Sequence, residues 1–474
     1  AAPMMTSRRC VALLAVWLTC SACDSNPDAA AWHGRAGQLI DGAVAGDLRA
    51  LPNATLASAI YCEEQAQALD SSLVTVTQSL GALYTAQGSF EQATVQFRTL
   101  VQQRPDDPQA YAGLGRALAA QGRFSGAMRA FQDALRRSPG RHLQLEVYNR
   151  LGHTYQALGH QEPHLRSAEA TYRASLQMDP QQADILYQLG RVLDRLERPG
   201  EALLLYRKAL ELAPDDTGIR VVLAATYVQS GRREAARALL RVGLERGPDA
   251  DLHYETGRLA YGAGQPEAAL TSFRLAQTVD STLTAAARYE GRVLAELGHR
   301  EPALVVFARL RRLLPDAAAP RISAGIILSG MGRLDEAEVA FREALELDDT
   351  GDAAVKLGGL YLHQSRLREA ERVYAGGADR HPANAELQAS LGDVYLRLGV
   401  LGAALQAAET AVGLEPENPL WQFHLASTYE RIDPEAAPAA WEHYLKLALD
   451  ESQEEERRLI ATSRLRLLRH TSSP

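Results

Sequence analysis

Between Ala183 and Asp216 the apolar residues fall into two runs at helical spacing. Leu186, Leu189, Gly190 and Leu193 share one face of a first helix, and Ala202, Tyr206, Ala209 and Leu210 share one face of a second. Glu197 to Pro199 break the pattern between them, and Pro214 ends the second run. Neither helix can bury its stripe alone. Pairing the two still leaves apolar surface, so neighbouring segments must cover it.

The neighbours are copies. The pattern returns about every 34 residues, from Val74, Pro108, Leu145, Ala183, Thr217, Ala250, Thr284, Ala318, Gly351, Ala385 and Pro419. One position of the first helix is small throughout: Gly81, Gly115, Gly152, Gly190, Ala224, Gly257, Gly291, Gly325, Gly358, Gly392 and Ala426. In the second helix Ala recurs at 93, 127, 168, 202, 236, 269, 303, 337, 370 and 404. One turn later stands a space-filler: Phe97, Phe131, Tyr172, Tyr206, Leu240, Phe273, Phe307, Phe341, Tyr374 and Ala408. Small residues admit close helix approach, and a ring can fill the gap beside them. Most inter-helix turns carry Gly, from Gly88 and Gly122 to Gly399, where a positive φ costs nothing. The third copy holds extra residues near His142 to Gln144 and His160 to Pro163, expected to bulge from loops.

This pattern resembles the tetratricopeptide repeat (TPR) family, built of helix–turn–helix units with a small-residue and aromatic signature. The resemblance implies an all-α, right-handed superhelical solenoid of about eleven repeats over residues 74–452, with a C-terminal capping helix over 453–474. It implies a protein that binds partner proteins or peptides. In such arrays the first helix of each pair lines the concave groove. By resemblance the groove positions here include Arg116, Tyr187, Arg191, Tyr254, Arg258, Tyr261, Arg288 and Arg292. Arginine beside tyrosine suits acidic or carboxy-terminal segments, because a guanidinium pairs a carboxylate at two points. The Lys and Asn set of carboxylate-clamp TPRs is absent at matching positions, as is the asparagine ladder of the TPR arm on protein glycosyltransferases.

Composition narrows the setting. A chain of 474 residues with no break in its middle suits a solenoid, which grows by adding neighbours. Its net charge of −8, from 50 basic and 58 acidic residues, speaks against a nucleic-acid partner.

At the amino end, Arg8 and Arg9 precede the apolar run Cys10 to Leu18, the layout of a secretory signal peptide over residues 1–22. Ser21-Ala22-Cys23 resembles a bacterial lipobox, although Cys20 stands where Leu is usual. By that resemblance Cys23 is the lipidation site; a plain signal peptide cut near Ala22 and an uncleaved anchor are the alternatives. Residues 23–36 then read as a tether and 37–73 as a divergent amino-terminal cap, with weak helices near Leu39 to Leu51 and Thr55 to Leu69. At the carboxyl end, Glu451 to His470 reads as one helix with acidic residues first and arginines last, matching the helix dipole. Leu459, Ile460, Leu465 and Leu468 give it a partial apolar face.

Catalytic signatures are missing. There is no Gly-rich phosphate loop, no Gly-x-Ser-x-Gly elbow and no His-Glu-x-x-His, so neither an enzyme nor a cofactor is expected. His142, His153, His160 and His164 cluster in sequence, but Pro163 interrupts them and no ligand set accompanies them; they read as exposed loop histidines and not as a metal site. The expected function is a non-catalytic scaffold: a lipoprotein of the bacterial cell envelope, facing the periplasm, that docks partners in its groove within an assembly or export complex. The alternatives are a substrate-docking subunit of an enzyme whose catalytic chain is separate, and a protein that binds solutes or glycans in the groove directly.

Overall fold

The computed structural model describes residues 28–41, 48–159, 161–448 and 454–471. Among these residues there are 25 α-helices, one short 3-10 turn at Leu48–Ala50 and no strand. Contacts divide the chain into two units, Ala1–Leu239 and Leu240–Pro474. The first unit holds α1 (Ala29–Ile40), α2 (Asn53–Leu69), α3 (Val74–Gln87), α4 (Phe90–Gln103), α5 (Pro108–Ala120), α6 (Phe124–Arg136), α7 (Arg141–Leu158), α8 (Glu162–Met178), α9 (Ala183–Arg195), α10 (Pro199–Leu212) and α11 (Thr217–Gln229). The divide falls within α12 (Arg233–Leu244). The second unit continues with α13 (Ala250–Gly262), α14 (Pro266–Val279), α15 (Thr284–Glu296), α16 (Arg300–Leu313), α17 (Ala319–Gly330), α18 (Leu334–Leu345), α19 (Asp352–His363), α20 (Leu367–Arg380), α21 (Ala385–Leu398), α22 (Leu401–Leu414), α23 (Pro419–Ile432), α24 (Ala437–Leu447) and α25 (Glu455–Thr471). Within each unit every helix packs on the next in sequence.

The recurrent sequence positions form the seam of each hairpin. All the recurrent alanines, from Ala93 to Ala404, are without solvent exposure. The rings lie over the glycines. A methyl group built on Gly115 would come within 2.6 Å of the Phe131 ring, on Gly257 within 2.6 Å of Phe273, and on Gly291 within 2.8 Å of Phe307. Gly81, Gly152, Gly190, Gly325 and Gly358 face Phe97, Tyr172, Tyr206, Phe341 and Tyr374 in the same way. Burying each ring stabilises its hairpin by about 1.5–3 kcal/mol. Where the filler is Ala408 the backbones themselves close in, and a Cβ on Gly392 would meet the Ala404 carbonyl oxygen at 3.3 Å.

Helix ends follow local chemistry. Asp107, Asp216, Asp249, Asn384 and Asn418 accept N–H bonds at the starts of α5, α11, α13, α21 and α23. The turn after α3 ends on Gly88 at φ 86°. In two hairpins that glycine is missing, and Glu197 and Ser365 hold the same left-handed turn at φ 59° and 60°.

Several expectations change. The third copy takes up 142–144 and 162–163, expected as loop bulges, in helices, while Gln161 lies between the two helices. α7 starts at Arg141, because Leu143 packs beside the Phe131 cluster. α8 starts at Glu162 with Pro163 in its first turn, where a missing N–H costs nothing. His142, His153 and His164 therefore lie on helices, and His160 lies outside the described residues. Residues 29–36, expected as tether, are helical. Asp28 accepts from the Ala31 N–H, consecutive alanines favour the helix, and Ala29 and Trp32 join the cluster of Leu56 and Ile60 on α2. The weak helix expected from Leu39 is thus displaced toward the amino terminus. At the carboxyl end α25 packs on α24 through Ala461 and Leu465, beside Trp441 and Tyr444. Leu459 and Ile460, expected on its apolar face, are exposed. Residues 1–27, with the signal segment and Cys23, and Glu451 lie outside the described residues.

Ion pairs tie successive hairpins. Arg198, just before α10, reaches Glu169 of α8 at 2.9 Å and Glu201 of its own helix at 2.7 Å. Arg333 does the same with Glu301 and Glu336, and Arg366 with Glu338 and Glu369. Between first helices, Arg116 of α5 pairs with Glu146 of α7 at 2.8 Å. Burial pushes the Glu146 carboxyl up, but Arg116 and Arg150 outweigh it and hold it below the ordinary glutamate value.

Two outcomes follow from these contacts. Ala303→Trp should lower stability by roughly 1–3 kcal/mol or more through overpacking; an unchanged melting curve would place the seam elsewhere. Arg116→Gln should cost about 0.5–1 kcal/mol at neutral pH. Because the Glu146 carboxyl is depressed in the folded state, that contribution is present above the unfolded glutamate pKa and fades as pH falls through the folded value. Denaturant melts at pH 7 and pH 3 should show the gap between the two proteins narrowing in acid.

Candidate functional site

In the second unit the outward faces of three first helices share a register. Tyr254, Arg258 and Tyr261 lie one turn apart along α13, Arg288 and Arg292 along α15, and Ile322 and Ile326 along α17. The adjoining faces hold the buried seam, with Gly257, Gly291 and Gly325 under the rings of Phe273, Phe307 and Phe341. Seam packing thus dictates which residues look outward.

A cleft of about 560 Å³ opens between α15 and α17. Arg288, Tyr289, Arg292 and Glu296 line one wall; Pro320, Ser323, Ile326 and Ile327 line the other. Toward the carboxyl end of this unit alternate helices touch directly, α17 with α19, α19 with α21 and α21 with α23. Between α15 and α17, as between α13 and α15, that contact is weaker, and the cleft occupies the space between α15 and α17.

Between α13 and α15 aromatic rings close the surface. Tyr289 stacks on Phe273 with ring centres 5.2 Å apart. It meets Tyr254 and Tyr261 edge to face, each at 5.9 Å. Arg258 stands over Tyr254 at 5.9 Å and Arg292 over Tyr261 at 5.3 Å, distances at which ring faces attract cations. The Tyr261 hydroxyl donates to Glu296 at 2.6 Å, and Arg292 Nε donates to the same carboxylate oxygen at 3.1 Å. The bond to Glu296 pushes the Tyr261 phenol up, and burial does the same for Tyr254, so both stay neutral at ordinary pH.

The charges are unevenly matched. Arg258 is paired with Glu255 at 3.0 Å, and Arg292 with Glu296. Arg288 is exposed and makes no ion pair or hydrogen bond among the described residues. The cleft therefore presents one uncompensated cation next to an apolar wall.

The groove residues expected from sequence divide between the two units. Tyr254, Arg258, Tyr261, Arg288 and Arg292 come together in the second. Arg116, Tyr187 and Arg191 lie in the first, on α5 and α9. Arg116 is occupied by Glu146, while Arg191 stands 5.8 Å over Tyr187. His153 meets the Tyr172 hydroxyl at 3.0 Å, and burial pulls its pKa down. Sequence reading missed Tyr289, Glu296 and the α17 wall. The spacing of Arg292 and Glu296, one turn apart, was an available signal.

Comparison with known proteins adds the relatives. Sequence profiles described as tetratricopeptide repeats match residues 80–142, 145–182, 164–217, 195–256, 322–385 and 355–419. Tetratricopeptide repeat protein 8 of Caenorhabditis elegans is 29% identical over 178 residues, 36% of this chain and 34% of that protein. The chain thus matches about a third of that relative's length. Among solved structures, yeast Tom70 aligns with TM-score 0.46 and 13% identity over 87% of this chain and 98% of that one. The APC/C hetero-tetramer Cut9–Hcn1 aligns with TM-score 0.38 and 15% identity over 87% and 93%. The repeat profiles together span more than half of the chain, and their matches fall on the helical hairpins described above, so this chain belongs to the tetratricopeptide repeat family.

Proposed function

We propose that the protein is a non-catalytic docking scaffold of the bacterial cell envelope, held to a membrane by lipid on Cys23 and facing the periplasm. Membership of a family of protein-binding repeats supports the scaffold reading. The cleft between α15 and α17 is its docking site for a partner protein within an assembly or export complex. Arg288 carries this reading: an unpaired guanidinium beside exposed Ile326 and half-buried Tyr289 is a surface without an internal use. Among the described residues no helix is long and apolar enough to cross a membrane, so attachment in this reading rests on the lipid.

A photo-crosslinking side chain at Ser323, on the cleft wall, should capture a defined partner in intact envelopes. Arg288→Glu should lower that yield severalfold and leave the helical circular dichroism and melting temperature unchanged. Equal yields from both proteins would move the docking site off this cleft. Cys23→Ser should remove the acyl mass from the extracted protein and release it from the membrane fraction; membrane retention without any acyl mass would defeat the anchor.

A further inference from the structure

We infer that the cleft selects an internal, extended segment of its partner by two points held at one separation: an acidic side chain on Arg288 and a large apolar side chain on Ile326. This rests on the docking reading above and gives it a chemical class.

Three observations carry it. The cation is uncompensated, whereas Arg258 and Arg292 already hold Glu255 and Glu296. An acidic side chain at Arg288 therefore gains a full partner without breaking a pair. On the opposite wall Ile326 is 49% exposed, next to Ser323 and the buried Pro320 and Ile327. An apolar side chain laid there leaves water without burying a polar group. The two features stand on successive first helices. An extended chain advances about 3.3–3.6 Å per residue, so the width of the cleft admits one separation between the two side chains.

The surface also continues past Arg288. Tyr261 and Arg292 extend it toward α13, where Tyr254 and Arg258 follow. A carboxylate at a chain end would stop at Arg288 and leave that aromatic flank uncovered. A side-chain carboxylate lets the segment run on across the rings, which take peptide groups and side chains by stacking and edge contacts. The occupant is therefore an internal segment with its acidic residue in the middle.

The test uses the full-length chain in detergent and fluorescent peptides blocked at both ends. Each carries one Glu and one Leu separated by one to six positions, in both orders, on a Gly/Ser background. Fluorescence anisotropy should show affinity peaking at one Glu–Leu separation and falling on either side of it. For that peptide Arg288→Gln should weaken binding about tenfold, and replacing the peptide Glu by Gln should lose a similar factor. Combining both changes should cost little more than either alone, because the two groups act as one pair. Ile326→Asp should cost a comparable factor for the Leu peptide and little for its Ser analogue. Equal affinity at every spacing would overturn the two-point proposal and leave docking standing. Binding confined to peptides with a free terminal carboxylate would overturn the side-chain assignment. Absence of binding by any blocked peptide, together with an unchanged Ser323 crosslink to the native partner, would also overturn this inference; loss of the crosslink dependence on Arg288 would instead remove the docking reading beneath it.

Discussion

Eight of the hairpins depend on a ring entering space that any larger residue on the facing helix would occupy. Phe131 lies over Gly115, Phe273 over Gly257 and Phe307 over Gly291, closer than a methyl group would tolerate. The alanines beside them, wholly buried, let the second helix approach. Because the contact is set by volume and not by hydrogen-bond geometry, phenylalanine and tyrosine serve interchangeably. Tyr206 spends its hydroxyl on Asp194 at 2.6 Å without leaving the seam. Where the ring is absent, at Ala408, closer approach of the backbones around Gly392 replaces it.

That dependence explains which parts of the molecule could be read from sequence. A rule of one small residue facing one ring repeats along the chain, so Val74, Pro108, Ala183, Thr217, Ala250, Thr284, Ala385 and Pro419 are all the observed first residues of helices. Departures occur where other forces decide. The extra turn of α7 pays its way through Leu143, a partner visible only once α6 and α7 are packed. α1 forms over Ala29–Ile40 because Asp28 caps it and Trp32 finds a neighbour in Tyr61 at 6.0 Å, neither of which shows as periodicity. The candidate site was half legible. The outward arginines and tyrosines follow from helical register, whereas the cleft lies where no ring fills the space between first helices: Tyr289 packs toward α13 and leaves the side toward α17 open.

In the second unit the outward faces divide labour by repeat. The α13 face is aromatic with its charge paired, the α15 face is cationic, and the α17 face is aliphatic. Neighbouring repeats share one scaffold geometry, so a change of character from one to the next places unlike chemistry at a fixed interval. A single helix would have to crowd the same groups within its own turns.

The bridges made by Arg198, Arg333 and Arg366 have a mechanical side. Each guanidinium joins one second helix to the preceding one and stands a third or more exposed, whereas the rings within hairpins are buried. Dissolved salt weakens exposed charge pairs over distances of about 10 Å and barely affects apolar volume. Ionic strength therefore weakens these bridges and leaves the apolar contacts, including those that run from one hairpin to the next between Leu165 and Leu223, in place.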